Sequence, residues 1–267
     1  MDVWEKTKVI LFGVRLSKSV IKHFPATPYK TVSLHTPDGL RLEGWSIPAK
    51  NPKGTVILYH GYGGSKDPML SEAAYFHQLG YNTFLLDFRA SGNSDGSTCT
   101  IGYREAQDVK LAYDYVKSCG EKHIVFWGMS MGAAAILKAI PQYDLRPENV
   151  ILECPFATLT DAVKARMRAV HLPGTPFSQL LTFWGGVELG FWGPGYKPEQ
   201  YAKKLSMPVL LCWGRHDPRV YKSETDIIFK HLGTTDKTLV IFENSGHQSF
   251  CRNEGEKWKN TVRTFLQ

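Results

Sequence analysis

From residue 31 onward, short apolar runs alternate with longer stretches whose apolar residues recur at helical spacing. The first kind predicts strands and the second predicts helices. Thr31–Thr36 and Leu40–Pro48 read as two strands joined by a turn at Pro37-Asp38-Gly39, a strong hairpin signal. Thr55–His60 is an apolar strand that runs directly into Gly61-Tyr62-Gly63-Gly64. A helix is expected over about Pro68–Leu79, a strand over Tyr81–Phe88 and a helix over Ala106–Ser118, where Glu105 and Asp108 suit the positive end of the helix dipole. His123–Trp127 then reads as a strand, Ser130–Ile140 as a helix and Val150–Glu153 as a strand. Pro208–Trp213 and Thr238–Phe242 give two more strands around a helix at Ser223–Leu232, and a last helix covers about Glu254–Phe265. This alternation predicts an α/β fold, a mostly parallel sheet covered on both faces, with the opening hairpin adding antiparallel strands. Ligands of such sheets bind beyond the carboxyl ends of the strands, so residues directly after strands are the candidates for chemistry.

The segment before the hairpin has a different character. Met1–Phe24 reads as a basic amphipathic helix, with Val9, Phe12, Leu16 and Val20 at helical spacing. Lys6, Lys8, Arg15, Lys18, Lys22 and Lys30 outnumber Asp2 and Glu5 in residues 1–30. The apolar run Val9–Phe12 is far shorter than the ~20 residues that span a bilayer, and no signal-cleavage pattern follows it. Residues 1–30 are thus expected as an appendage to one domain over 31–267. The helix either packs on the domain's own surface or makes peripheral contact with an anionic membrane through residues 1–24.

Composition narrows the class. The chain has 267 residues, 43% hydrophobic and 21% charged, which excludes a disordered, collagen-like or multi-span membrane protein. The net charge of +7 is not gathered on a recognisable nucleic-acid module, so no nucleic-acid partner is expected. Cys99, Cys119, Cys154, Cys212 and Cys251 are odd in number and widely spaced. That argues against a disulfide scaffold or zinc site and for reduced thiols in a cytoplasmic setting.

The pattern G-x-S-x-G occurs twice, at Gly128-Met129-Ser130-Met131-Gly132 and at Gly92-Asn93-Ser94-Asp95-Gly96. The first follows the apolar run Ile124–Trp127 and opens the helical stretch from Ala133, the strand–turn–helix of a nucleophile elbow. The helix N-terminus then aims N–H groups, with Met131 first among them, at a developing oxyanion. The second copy sits among Ser91, Asp95, Ser97 and Thr98, which is loop composition. Ser130 is the expected nucleophile.

With Tyr59-His60-Gly61-Tyr62-Gly63-Gly64, Asp87-Phe88-Arg89-Ala90-Ser91-Gly92-Asn93-Ser94, Gly214-Arg215-His216-Asp217 and Gly246-His247 in order around that elbow, residues 31 to the C-terminus resemble the α/β-hydrolase superfamily. The likeness is to its esterase, lysophospholipase and serine-aminopeptidase-like members with a small cap. It implies a Ser, acid, His order along the chain. His247, directly after the last strand, is the expected base, with His216 and His231 as rivals. The resemblance puts the acid at Asp217, within a G-x-x-D-x-x-V pattern matched by Gly214, Asp217 and Val220. Glu153, ending the preceding strand, is the rival acid. It also implies a second oxyanion donor at the Tyr62 backbone. A phosphate-loop reading of Gly61–Gly64 fails because position 66 is Lys and no G-K-[ST] follows. His60 reads as a brace for that loop, and Asp87 and Arg89 as strand-end hydrogen-bonding residues, with Arg89 as an anion ligand the alternative.

About fifty residues separate Glu153 from Pro208, and the resemblance implies a cap insertion there, about residues 156–205. Phe156, Phe183, Trp184 and Trp192 are its candidate pocket aromatics, although core packing would use the same residues. Lys164, Arg166 and Arg168 would attract an anionic head group or simply solvate a helix face. The chemistry expected is cleavage of carboxylic esters with an apolar acyl or aromatic part, with a thioester, amide or peptide substrate as the alternative and a non-catalytic binding protein as the remotest. No metal or organic cofactor is expected.

Overall fold

The computed structural model describes residues 18–267. Two strands, β1 (Lys30–His35) and β2 (Arg41–Ile47), form the opening hairpin. The buried strand β3 (Thr55–Tyr59) is followed by helix α1 (Leu70–Gln78), strand β4 (Asn82–Leu86) and helix α2 (Glu105–Ser118). Strand β5 (Ile124–Met129) leads into α3 (Met131–Tyr143), and β6 (Asn149–Glu153) leads into the long excursion. That excursion carries α4 (Leu159–Ala169), α5 (Phe177–Glu188) and the short α6 (Pro198–Tyr201) before β7 (Val209–Gly214). Helix α7 (Lys222–His231), strand β8 (Lys237–Phe242), the single turn α8 (Phe250–Asn253) and α9 (Gly255–Phe265) complete it.

The eight strands form one sheet in the order β1-β2-β4-β3-β5-β6-β7-β8. Only the β1–β2 and β2–β4 pairs are antiparallel; β4 through β8 run parallel. The central strands β3 and β5 are buried along almost their whole length because helices cover both faces: Ile57 and Phe126 join one core cluster, Val56 and Val125 the other. Helix α3 is buried from Met131 to Ile140, which is why its run of Ala and Ile lacks a polar face. Among the described residues no helix is long and apolar enough to cross a membrane.

The expected helix over residues 1–24 lies outside the described residues up to position 17, and residues 18–24 are not helical. They form a strap whose polar groups find tertiary partners. The N–H groups of Lys22 and His23 donate to Asp67 Oδ2, Ser19 Oγ donates to the Gly64 carbonyl, and Phe24 packs 5.6 Å from the Trp45 ring. Helical periodicity in this stretch lost to acceptors that only the folded domain presents.

The loops at the carboxyl end of the sheet are held by buried ion pairs. Lys66 is fully buried, paired with Asp87 and with Glu43 at 3.0 Å, and lies 4.6 Å from the centre of the Trp45 ring. Arg89 grips Asp108 through two nitrogens at 2.7 and 3.1 Å. Arg89 is therefore occupied by a structural partner, and Asp87 does more than terminate a strand: it is the counter-charge of a buried lysine. Removing one member leaves the other charge buried and alone. Lys66→Met is expected to lower folding stability by about 3–5 kcal/mol in chemical denaturation; a loss under about 1 kcal/mol, typical of surface pairs, would contradict this account.

Candidate active site

Ser130 lies between β5 and α3 with φ 52° and ψ −109°, a conformation that costs a non-glycine residue roughly 1–3 kcal/mol. The two flanking glycines explain how the bend closes. A Cβ on Gly132 would lie 2.2 Å from the Tyr59 carbonyl oxygen, and one on Gly128 would lie 2.6 Å from Ile136 Cδ1. Strand and helix approach so closely that only hydrogen fits at either position, and the serine side chain is pushed out at the sheet's carboxyl edge.

Two other strand ends deliver side chains to it. His247, in the loop after β8, has Nε2 2.9 Å from Ser130 Oγ and Nδ1 2.7 Å from Asp217 Oδ2. Asp217, three residues beyond β7, is buried, and its Oδ1 accepts N–H bonds from Arg219 at 2.7 Å and Val220 at 2.9 Å. Burial acts to raise the Asp217 pKa, but the imidazole and the two N–H groups outweigh it and hold the carboxyl below its ordinary value. An anionic carboxylate, an imidazole and a hydroxyl thus stand in one hydrogen-bonded row, so a proton leaving the hydroxyl has an acceptor and the resulting imidazolium has a counter-charge.

The loop after β3 completes the setting. Gly61 sits where an added Cβ would be 3.6 Å from both Ser130 Cβ and the Met129 carbonyl. His60 braces it, with Nδ1 2.7 Å from the Gly61 carbonyl and Nε2 accepting the Phe88 N–H at 3.1 Å. Burial lowers the His60 pKa and keeps the ring neutral, as this arrangement requires. Neither the Tyr62 nor the Met131 backbone N–H donates to an acceptor among the described residues. The Arg166 guanidinium lies over the Tyr62 ring, 4.2 Å from its centre.

An open cleft of about 180 Å³ reaches Ser130 and His247. Pro68, Met69, Trp127 and Met129 form its apolar lining, while Glu72, Ser249, Arg219 and Arg252 bring polar groups. The aromatics expected in the pocket are elsewhere: Phe156 is buried in a cluster with Ala134 and Tyr196, and Phe183, Trp184 and Trp192 are exposed on α5 and the turn after it. Aromatic content does not reveal which face of a helix meets the substrate. Of the residues that do line the cleft, Arg219 was missed although it stands two residues after Asp217, and Met69, Glu72 and Arg252 had no sequence signal.

The competing candidates are held apart from this row. Ser94 is fully buried, its hydroxyl donating to the Asp87 carbonyl at 2.6 Å and accepting the Glu43 N–H at 2.9 Å. His231 is tied to Glu199, and His216 is exposed. Glu153 Oε1 accepts both indole N–H groups of Trp127 (2.9 Å) and Trp258 (2.6 Å), and Oε2 has no partner among the described residues. Burial, with the charge of Glu72, pushes its pKa to about 8, so it is neutral at pH 7. Cys154 Sγ lies within 4.8 Å of ligand atoms of Asp217 and His247, a grouping that could in principle hold a metal. Burial and the nearby Asp217 push its thiol well above the ordinary range, which disfavours the thiolate a metal needs.

Known proteins share this chain's sequence pattern and fold. Residues 50–183 match the family model described as serine aminopeptidase, S33. The chain is 27% identical over 233 residues to Uncharacterized protein YqkD of Bacillus subtilis, covering 85% of this chain and 76% of that protein. It is 26% identical over 176 residues to the lysophosphatidylserine lipase ABHD12 of Xenopus tropicalis, covering 61% of this chain and 43% of that one. The solved Pyrococcus furiosus esterase Pf2001 superposes with a TM-score of 0.78 at 26% identity, covering 95% of this chain and 97% of that one. The chain is an α/β hydrolase and belongs to the serine aminopeptidase S33 family within that superfamily.

The neutral Glu153 yields a pH prediction. Its pKa is raised from 4.5 to about 8 on folding, so the native state keeps a proton that the unfolded chain releases. Stability is therefore fully present below 4.5, falls as pH rises from 4.5 to about 8 and levels off above. Glu153→Gln cannot ionise and keeps an oxygen for the two indoles. Its melting temperature relative to wild type is expected to climb steadily across that window; parallel melting curves at every pH would refute a buried neutral carboxyl.

Proposed function

We propose that this protein is a serine hydrolase that cleaves carboxylic esters through an acyl-enzyme on Ser130. The observation that carries the reading is the row of contacts Ser130–His247–Asp217 at 2.9 and 2.7 Å, meeting the substrate cleft at a strained serine. His247 Nε2 takes the hydroxyl proton as Oγ attacks the ester carbonyl, and Asp217 orients the ring and balances its new charge. The backbone N–H groups of Tyr62 and Met131 hold the oxyanion of the tetrahedral intermediate. Its collapse breaks the ester C–O bond, and the alcohol leaves with the proton from His247. Water then attacks the acyl group by the same route, with His247 as base, and frees Ser130.

The cleft supports an amphiphilic ester: an apolar wall of Met69, Trp127 and Met129 for the acyl part, and the guanidinium groups of Arg219 and Arg252 for a negatively charged part. The name of the Xenopus relative, a lysophosphatidylserine lipase, supports the same class. The family's aminopeptidase description offers an amide substrate as a second reading. An aminopeptidase must also hold a substrate ammonium, and the two arginines at this cleft oppose one. Glu72, the acid that lines it, already accepts from Ser249 and Ser71.

Ser130→Ala is expected to lower kcat on nitrophenyl and lysophospholipid esters by about 10⁴–10⁶-fold with unchanged thermal stability. Asp217→Asn, which presents the wrong hydrogen-bonding partner to Nδ1, is expected to lower it by about 10⁴-fold. Turnover of aminoacyl amides exceeding that of esters in a parallel panel would overturn the ester assignment, and substantial turnover by Ser130→Ala would overturn the nucleophile.

A further inference from the structure

Helix α5 is amphipathic in the reverse sense. Its buried positions are Ser178, Thr182 and Gly186, one stripe of small and polar residues. Its outward positions are Phe177, Leu180, Phe183, Trp184 and Val187, joined by Trp192 from the turn that follows. Leu180, Trp184, Val187 and Trp192 are each more than half exposed, at 51%, 58%, 54% and 63%. These six residues are the majority of the large exposed apolar side chains among the described residues. Scattered exposed apolar residues are ordinary, whereas a contiguous face of them marks a surface built to meet something apolar.

The helix cannot turn this face inward. A Cβ on Gly186 would lie 2.6 Å from the Phe191 carbonyl oxygen and the Gly193 nitrogen, and one on Gly193 would lie 2.2 Å from the Thr182 carbonyl oxygen. Backbone meets backbone along the Ser178–Thr182–Gly186 stripe, leaving no room there for a large side chain. Phe183 in turn packs edge-on against both Trp184 (5.3 Å) and Trp192 (5.8 Å), so the outer face is itself an ordered aromatic platform.

Cations flank the platform. The Lys164 stem lies against Gly174, at the approach to α5, and Arg104 donates to the Leu189 carbonyl at its far end. Arg166 and Arg168 of α4 are not part of this flank, since they stack on the Tyr62 and Tyr221 rings at 4.2 Å each. Helix α4, against which α5 packs, reaches the active site directly, because its Arg166 stacks on Tyr62.

We propose that the outer face of α5, with Trp192, docks on a lipid surface bearing anionic head groups and sets the cleft beside the amphiphilic esters held there. Tryptophan and phenylalanine settle at the boundary of head groups and acyl chains, and flanking lysine and arginine add attraction to anionic lipid. A second copy of the chain is the less suitable occupant, since pairing two such caps would bring like charges together. The inference deepens the ester-hydrolase reading by naming where its substrate resides, but the binding step stands on α5 alone.

The test uses the full chain, wild type against the double variant Leu180→Ser with Val187→Ser. Both positions are exposed, outside the cleft and away from the backbone contacts of the buried stripe. The wild type is expected to sediment with phosphatidylcholine–phosphatidylglycerol vesicles more than with phosphatidylcholine alone, and brominated acyl chains are expected to quench its tryptophan emission. The double variant is expected to lose about tenfold or more of that partition. It should keep its turnover of a short, soluble nitrophenyl ester and lose turnover of vesicle-borne lysophospholipid. Absence of wild-type binding, or equal binding by the variant, overturns the docking face and, in the second case, assigns binding to another part of the chain. A wild-type dimer that the double variant abolishes also overturns it, with a second copy as the occupant. Loss of soluble-ester turnover in the wild type would instead defeat the hydrolase mechanism while leaving the vesicle result to stand or fall by itself.

Discussion

The backbone at Ser130 carries a positive φ that it would not choose, and the architecture around it makes that conformation the only one available. Strand β5 hands the chain to α3 within a single residue, and α3 must then descend against the end of β3. The Tyr59 carbonyl leaves space for nothing larger than hydrogen on Gly132, and Ile136 leaves as little at Gly128. The strain of roughly 1–3 kcal/mol is small beside the burial of α3, whose Ile136, Leu137 and Ile140 each contribute about 1.5–3 kcal/mol by leaving water. A helix buried along most of its length cannot yield to relieve one residue, so the strain persists and the hydroxyl remains outside the sheet's edge.

A second constraint sorts the carboxyl groups at that edge. Asp217 and Glu153 stand at the ends of adjacent strands, both buried, yet their surroundings drive them to opposite charge states. Asp217 receives two backbone N–H groups on one oxygen and an imidazole on the other, so the anion is favoured against the cost of burial. Glu153 receives two indole N–H groups on a single oxygen, faces the charge of Glu72 and stays protonated. Two carboxyl groups pushed apart in this way end up differently: one faces an imidazole as an anion and the other packs as a neutral group. The buried pairs Lys66–Asp87 and Arg89–Asp108 fix the loops around them, which keeps His60 and the Gly61 backbone in position.

The cap shows how packing at one surface decides chemistry at another. Close backbone contact at Gly186 and Gly193 turns the apolar residues of α5 outward, and they are therefore not available to line the cleft. The lining comes instead from the loop before α1 and from the ends of β5 and β8, with charged side chains admitted at the rim.

Strand and helix alternation, the hairpin, the elbow at Ser130 and the relative order of Asp217 and His247 could be read from the chain because each is a local pattern. An apolar run before a G-x-S-x-G and a helix after it specify their own conformation, and a histidine directly after a buried strand must emerge at one end of the sheet. What local pattern could not decide was every question of facing and partnership. Residues 18–24 have helical spacing but spend their amides on Asp67; Arg89 looks available until Asp108 closes on it; Glu153 and Asp217 are equivalent as letters until their donors are counted. The same holds for Phe183, Trp184 and Trp192, whose hydrophobicity is evident in the sequence although their direction is not. Hydrophobic period and turn chemistry act over a few residues and so are encoded in neighbouring letters, whereas burial, charge state and the face a helix presents are set by atoms brought together from distant parts of the chain.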